Sequence, residues 1–318
     1  MKLLRINARI PQPRISQSKS DPVGAAMRLN KIDRKIKARY AALKVSVTEL
    51  FNAIPRNAVN ADSGAGSYYY DFSAARAASF LDDLQRAIDS GIMDGAPQGQ
   101  MWAGLDVQDA YQAGTVTAHS QLSNLSSMYA ESRPIAAILY SSPYIERLQI
   151  AYTQTYSDWK GLSDSTRSDL ASNIMEAVAR GDNPRNVAGK IAERLDVSMS
   201  QARSMAQTEI TGALRLANRR EVVEARELLG LDTVMLWTSA LMPTTRRTHS
   251  ERHGKYYSPE EIDEFYSVNG NKRNCHCAQT PALIMDGKPA ILESTQERLD
   301  KQRKDWQEKY IKDKKKAA

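Results

Sequence analysis

Residues 181–238 of this 318-residue chain read GDNPRNVAGKIAERLDVSMSQARSMAQTEITGALRLANRREVVEARELLGLDTVMLWT. Gly181 is placed to end one helix, and Asn183-Pro184 restarts another with an N-cap and a proline at the first helical position. Ile191 and Leu195 carry that helix on. Val197-Ser198 then predicts a third helix, with Ser198 as cap and Gln201 in the capping-box position. Its apolar and small residues, Ala202, Ala206, Ile210, Leu214 and Ala217, recur at helical spacing toward Gly230, so another element can approach one face closely. Thr233 to Thr238 switches to the pattern of a buried strand, and Ala282-Leu283-Ile284-Met285 reads as a second. Between the strands, Ser258-Pro259-Glu260-Glu261 spells a capping box with proline at the first helical position. The fold class that follows is mainly α with a small α+β C-terminal module, a long helix packed on a short sheet.

Upstream the same reasoning predicts more helices. Residues 1–26, with Pro11, Pro13 and Pro22, read as a basic extended arm. Leu29, Ile32, Ile36, Tyr40, Leu43, Val47 and Leu50 mark one amphipathic helix. Ser73 caps a second, which Gly91 is expected to stop. A third is expected from Asp106 toward Tyr129, and residues 144–159 show helical spacing again. A further helix is expected to start at Ser163 or Ser165. The Tyr68-Tyr69-Tyr70 run reads as packing or a short extended segment, and His119 as a lone packing histidine.

Composition excludes several classes. Charged residues make up 25% and apolar residues 42% of the chain, and no apolar run approaches the length needed to span a bilayer. No membrane partner is expected, and the two cysteines, one residue apart, cannot form a secreted disulfide framework. The net charge of +7 is unevenly spread: residues 1–44 hold twelve Lys and Arg against Asp21 and Asp33, and residues 295–318 hold nine against five acids. Basic ends on an acidic body suit a polyanion or an acidic partner surface, or are simply solvated. The cations that would contact phosphates are Arg28, Lys31, Arg34, Lys35, Lys37 and Arg39 near the start and Lys314, Lys315 and Lys316 at the end. Such contacts position a nucleic acid without reading its sequence.

The chemistry-bearing residues are His249, His253, Cys275, His276 and Cys277. Zinc takes four N or S ligands, so His249, His253, Cys275 and Cys277 make a set if their two segments meet. A structural zinc site and hydrogen-bonded packing of His249 with free thiols both remain open at this level. A metal-dependent nuclease built on the same residues is the catalytic alternative, but the sequence places no Asp or Glu as a ligand beside the histidines. No glycine-rich phosphate loop, nucleophile elbow or dinucleotide fingerprint is present. No catalytic residue and no organic cofactor is therefore assigned.

The ordered series of Gly181, Asn183-Pro184, Thr208-Glu209, Asn218, Trp237-Thr238, His249, Gly254 and Asn274-Cys275-His276-Cys277 resembles the phage head morphogenesis family, the Mu F-like minor capsid proteins. The resemblance covers about residues 160–290. Relatives often carry Cys-x-x-Cys where this chain has Arg246 and His249, so the site looks like a variant form. Under the resemblance, residues 27–160 are a helical region and 161–290 the Mu F-like core. Within that core, 161–198 is a helical hairpin, 199–230 the long helix and 231–290 the α+β module; 291–318 is a charged tail. The family positions Thr208, Glu209, Asn218, Trp237, Thr238, His249, Gly254, Asn274, Cys275 and Cys277 are then structural. The resemblance implies a virion protein, in the capsid interior or at the portal vertex and in the host cytoplasm during assembly. Its implied partners are the portal, capsid or scaffolding proteins and double-stranded DNA. Its implied roles are head assembly, DNA packaging or DNA delivery; a free, non-specific DNA-binding protein is the remaining alternative.

Overall fold

A computed structural model describes residues 11–59, 68–95 and 100–311. Among these, the elements run α1 (Ala26–Asn52), β1 (Arg56–Ala58), β2 (Tyr68–Tyr70), α2 (Ala74–Ile92), α3 (Trp102–Leu125), α4 (Ser127–Ser132) and α5 (Ile135–Leu139). They continue with α6 (Ser142–Arg180), α7 (Pro184–Leu229), β3 (Thr233–Thr238), α8 (Arg247–Ser250) and β4 (Tyr256–Tyr257). The chain closes with α9 (Pro259–Ser267), β5 (Ala278–Met285), β6 (Lys288–Pro289) and α10 (Glu293–Tyr310). The protein is mainly α with a small antiparallel sheet near its C-terminus, the expected class. The chain forms two compact units, neither of them contiguous in sequence: residues 29–107 with 150–206, and residues 1–28 with 108–149 and 207–318.

In the first of these units the α1 stripe is as predicted, with Ile32, Ile36, Tyr40, Leu43, Val47 and Phe51 buried. Ser73 caps α2, accepting from the Arg76 amide. Gly91 does not stop that helix, which runs on to Ile92. A Cβ at Gly91 would stand 3.2 Å from that of Leu43, so the glycine serves a close approach rather than a turn. Tyr70 is buried in the β1–β2 ribbon and donates to the Asp182 carbonyl, 2.7 Å away, while Tyr69 is exposed. Trp102 and Trp159 pack edge to face at 5.0 Å.

Two predicted boundaries in this unit do not exist. Helix α6 is one 39-residue span through Ser163 and Ser165. The Ser163 hydroxyl donates to Asp89 at 2.8 Å, and Ser165 and Thr166 bond back to the Leu162 carbonyl, so none of them caps anything. Helix α7 is likewise one 46-residue span through Val197-Ser198. Ser198 is buried and its hydroxyl lies 2.8 Å from that of Tyr40 and 2.6 Å from that of Thr166. A hydroxyl able to cap a helix was instead used to bridge buried hydroxyls, and nothing else in Val197-Ser198-Met199 breaks a helix. The breaks at Gly181, with φ 71°, and Asn183-Pro184 are real; the Asn183 side chain accepts from the Arg185 amide at 3.0 Å.

In the second unit, the Asp21 carboxylate accepts from the amides of Ala25 and Ala26 at 3.0 and 2.8 Å, capping the start of α1. Gly114 on α3 lies directly against α7: a Cβ there would be 2.5 Å from the Leu214 carbonyl and 2.9 Å from the Ala217 Cβ. The small-residue face of α7 is therefore used as its sequence implies. Glu221, 2% exposed, accepts from the Tyr129 hydroxyl and from Arg133 at 2.9 Å, and Glu224 pairs with Arg133 and Arg147. Burial and its bond to Glu221 push the Tyr129 hydroxyl pKa up.

The sheet runs in the order β4-β3-β5-β6, with β3 and β5 antiparallel from Thr233 opposite Leu283 to Thr238 opposite Ala278. Ser258 and Glu261 form the predicted capping box of α9. Trp237, Met235, Ile262, Phe265 and Tyr266 share one core with Val222 and Ala225 of α7. The charged segment after Thr295 is helix α10, held by buried Leu299 and Trp306. Its polar side chains take three backbone carbonyls: Gln296 bonds Gly254 at 2.8 Å, Arg303 bonds His253, and Trp306 bonds Met242 at 3.0 Å.

Candidate functional site: a His and Cys corner beside the sheet

Strand β3 ends in Trp237-Thr238, and the chain then crosses Ser239 and Ala240 to reach α8, which carries His249. Strand β5 begins just after Cys275-His276-Cys277. Because β3 and β5 are paired, the end of one and the start of the other bring these segments together. Trp237 stacks on Tyr266 at 5.4 Å and meets Phe265 edge on at 5.2 Å, and the His249 ring lies 5.0 Å from Phe265. An aromatic wall thus backs the imidazole. Gly254, at φ 76°, donates to the Trp237 carbonyl, and its missing Cβ would stand 2.9 Å from that of Leu299; both facts require glycine.

The donor atoms converge. Nδ1 of His249 lies 3.4 Å from Sγ of Cys275 and 3.5 Å from Sγ of Cys277. All three side chains are buried. Among the described residues, theirs is the one group of three or more His, Cys, Asp or Glu placed to share an ion, its ligand atoms lying within 4.8 Å of one another. Tetrahedral zinc, with bonds of about 2.0–2.1 Å to nitrogen and 2.3 Å to sulfur, sets an N to S edge of about 3.6 Å. The residues present fit the metal.

His253 does not join them. Its Nδ1 accepts from the Ser239 amide at 3.0 Å and its Nε2 donates to Gln302 at 3.2 Å, which fixes a neutral ring. Burial pushes its pKa down to about 4. The nuclease arrangement of His249 with His253 and His276 is not assembled either: His276 turns to Gln207, 2.6 Å away.

Several residues that sequence reasoning passed over shape the corner. Ser239 accepts from the Trp237 indole at 3.2 Å, lies 3.6 Å from Cys277 Sγ, and donates to the His249 carbonyl. The Tyr266 hydroxyl accepts from Gln279 at 3.0 Å and lies 3.4 Å from Cys275 Sγ. Arg215, fully enclosed, donates to the Cys275 carbonyl at 2.6 Å and lies over the Tyr266 ring at 4.7 Å. Burial opposes the Arg215 charge, but Tyr266 and the two thiols outweigh it and raise its pKa. The hydrogen bond from Cys277 is the largest influence on Cys275 and holds its thiol well below the ordinary range, with help from Arg215 and His249. Burial and that same hydrogen bond push Cys277 up.

The other family positions are ties between elements. The Thr208 hydroxyl accepts from the Asn274 amide at 3.0 Å, and Asn274 takes the positive φ of 50° that turns the chain into Cys275. Asn218 donates to Gln121 at 3.1 Å. Thr238 donates to the Ala278 carbonyl. Glu209 is half-buried. Arg246, where sequence offered only a ligand position lost, donates to the carbonyls of Gly270, Asn271 and Arg273 and clamps the loop that delivers the cysteines.

The expected phosphate contacts near the chain start are engaged internally. Arg28 pairs with Asp109, Lys31 and Lys35 with Asp106, and Lys37 with Asp33. Arg34 donates to the Asn30 carbonyl, and Arg39 donates to that of Gly91 and lies 4.6 Å over Trp102. Lys314, Lys315 and Lys316 fall outside the described residues.

Residues 168–280, about a third of the chain, match the family model described as Phage Mu protein F like protein. Among curated proteins the chain is similar to the NAD(+)--arginine ADP-ribosyltransferase EFV of Enterococcus faecalis, with 26% identity over 137 residues. That match takes in 39% of this chain, which spans about a quarter, 27%, of that relative's length. No solved structure matches the chain.

Proposed function

We propose that this chain is a minor head protein that binds the portal or inner capsid, and through it assists head morphogenesis, DNA packaging or DNA delivery. The observation that carries the reading is the family match, which runs through the whole of α7 and β3, the His and Cys corner, and into β5. In the unit that holds the corner, Tyr140 is 83% exposed and Met128 and Ile145 about half exposed. Large apolar side chains left in water together supply a surface for a capsid, portal or scaffolding protein. Contact with double-stranded DNA is the second part of the proposal. With the cations of α1 occupied by carboxylates and carbonyls, it falls mainly to the basic residues of segments 1–10 and 312–318.

The test is co-purification with the portal and major capsid proteins of the encoding phage at low and at high salt. Retention on the portal at high salt is expected, because an apolar contact resists salt whereas phosphate contacts weaken steeply. Failure to hold any head protein, with salt-sensitive binding to DNA alone, would leave the free DNA-binding protein instead.

A further inference from the structure

We infer that His249, Cys275 and Cys277 hold one zinc ion through Nδ1 and the two sulfurs, with the fourth tetrahedral position open to the adjoining cavity. The inference stands on the corner itself and is independent of the head-protein reading.

Three features carry it. First, both sulfurs stand at 3.4 to 3.5 Å from the same imidazole nitrogen, which accepts from only one S–H, and Ser239 Oγ is the other acceptor within reach of Cys277. A dication at the centre of the three atoms would use all three donors at once. The second is geometry: the two observed edges are close to the N to S edge of about 3.6 Å set by zinc bond lengths. The third is the chemistry of the donors. Two thiolates and an imidazole form a soft set that selects zinc over magnesium or calcium.

The surroundings supply what a ligand shell needs. The Tyr266 hydroxyl lies 3.4 Å from Cys275 Sγ, and the Cys277 amide donates to the same sulfur at 3.4 Å. The Arg246 clamp and the Thr208 to Asn274 bond fix the backbone that carries both cysteines. Such supporting bonds hold ligands in place and tune the metal.

No fourth His, Cys, Asp or Glu joins the group among the described residues. A cavity of about 430 Å³, bordered by Gln207, Met242, Thr245 and His276, reaches His249, Cys275 and Cys277. Three protein ligands facing an open volume is the pattern of a site that keeps one position for water or an incoming ligand, unlike a closed four-residue site. The water position follows from the cavity.

Cobalt(II) titration of the full chain, purified free of metal under reducing conditions, tests this. One ion should bind per chain, with tetrahedral visible bands and sulfur-to-cobalt charge transfer, and zinc should displace it. Cys275→Ser and Cys277→Ser should each remove about half of the charge-transfer intensity, since each thiolate contributes its own share. His253→Asn and His276→Ala should leave the spectrum unchanged. Added imidazole should shift the visible bands as it fills the open position. Absence of charge transfer in the wild-type chain, or its persistence when both cysteines are serine, would overturn the site. Bands unmoved by imidazole would overturn the open fourth position. Zinc should also raise the thermal midpoint of the wild-type chain and not of the doubly substituted one, whose fold is checked by circular dichroism.

Discussion

Replacing Gly114 with alanine tests the crossing of α3 on α7 at its tightest point. The new Cβ would lie 2.5 Å from the Leu214 carbonyl oxygen, and 2.9 Å from both the Leu214 Cα and the Ala217 Cβ. Two of those three atoms are backbone, so no rotamer change relieves the clash and the helices must separate. Overpacking of this kind costs about 1–3 kcal/mol, occasionally more. Alanine in place of a helical glycine returns about 1 kcal/mol of propensity. With backbone atoms in the way the upper end of that range applies, and the expected net loss is about 2 kcal/mol. Gly212, on α7, is the internal control, because a Cβ there meets nothing within 4 Å; Gly212→Ala should gain up to about 1 kcal/mol. Urea unfolding followed by circular dichroism should move the midpoint down for Gly114→Ala and up for Gly212→Ala. A Gly114→Ala chain as stable as the wild type would refute the close approach, because propensity alone gives both substitutions the same sign.

Arg133→Met should cost about 3–5 kcal/mol in the same assay, by leaving Glu221, 2% exposed, charged without its cation. Adding Glu221→Gln should recover part of that loss; a cost under about 1 kcal/mol for the single change would show that the pair is not isolated from water. His253 gives a pH signature. Its folded pKa of about 4 lies below the ordinary histidine value of 6.5, so the stability it contributes is present above pH 6.5 and is lost as pH falls toward 4. The size is about 3 kcal/mol between those limits. Denaturation between pH 4 and pH 8 should show this dependence in the wild type and a flatter curve in His253→Asn; parallel curves would be evidence against a buried neutral ring.

Much of this was legible in the sequence where a local signal has one meaning. Ser258 to Glu261, Asn183-Pro184 and the run Thr233 to Thr238 each read as the structure has them. Serine is different. Ser73 caps a helix whereas Ser163, Ser165 and Ser198 sit inside helices, because the same hydroxyl can bond an amide, a preceding carbonyl or a distant side chain. Which of these it takes depends on neighbours tens of residues away. The His and Cys corner was legible in composition but not in membership. A four-residue spacing puts His249 and His253 on one face only if the helix lasts, and α8 ends at Ser250. The cations of α1 read as available because their acids lie on another segment: Asp106 is 71 residues from Lys35. Ser239 and Tyr266 carried no signal at all, since each matters only through a sulfur brought to it by the β3–β5 pairing.

The grip of α10 on the loop before it bears on when the corner is completed during synthesis. Gln296, Arg303 and Trp306 take the carbonyls of Gly254, His253 and Met242, and these lie on both sides of His249. Until those three residues have left the ribosome, the loop lacks its fasteners, although both cysteines and the histidine have already emerged. The corner therefore matures after α7 and the strands are in place. A chain truncated before Gln296 should expose Cys275 and Cys277 to a thiol reagent that the full chain resists.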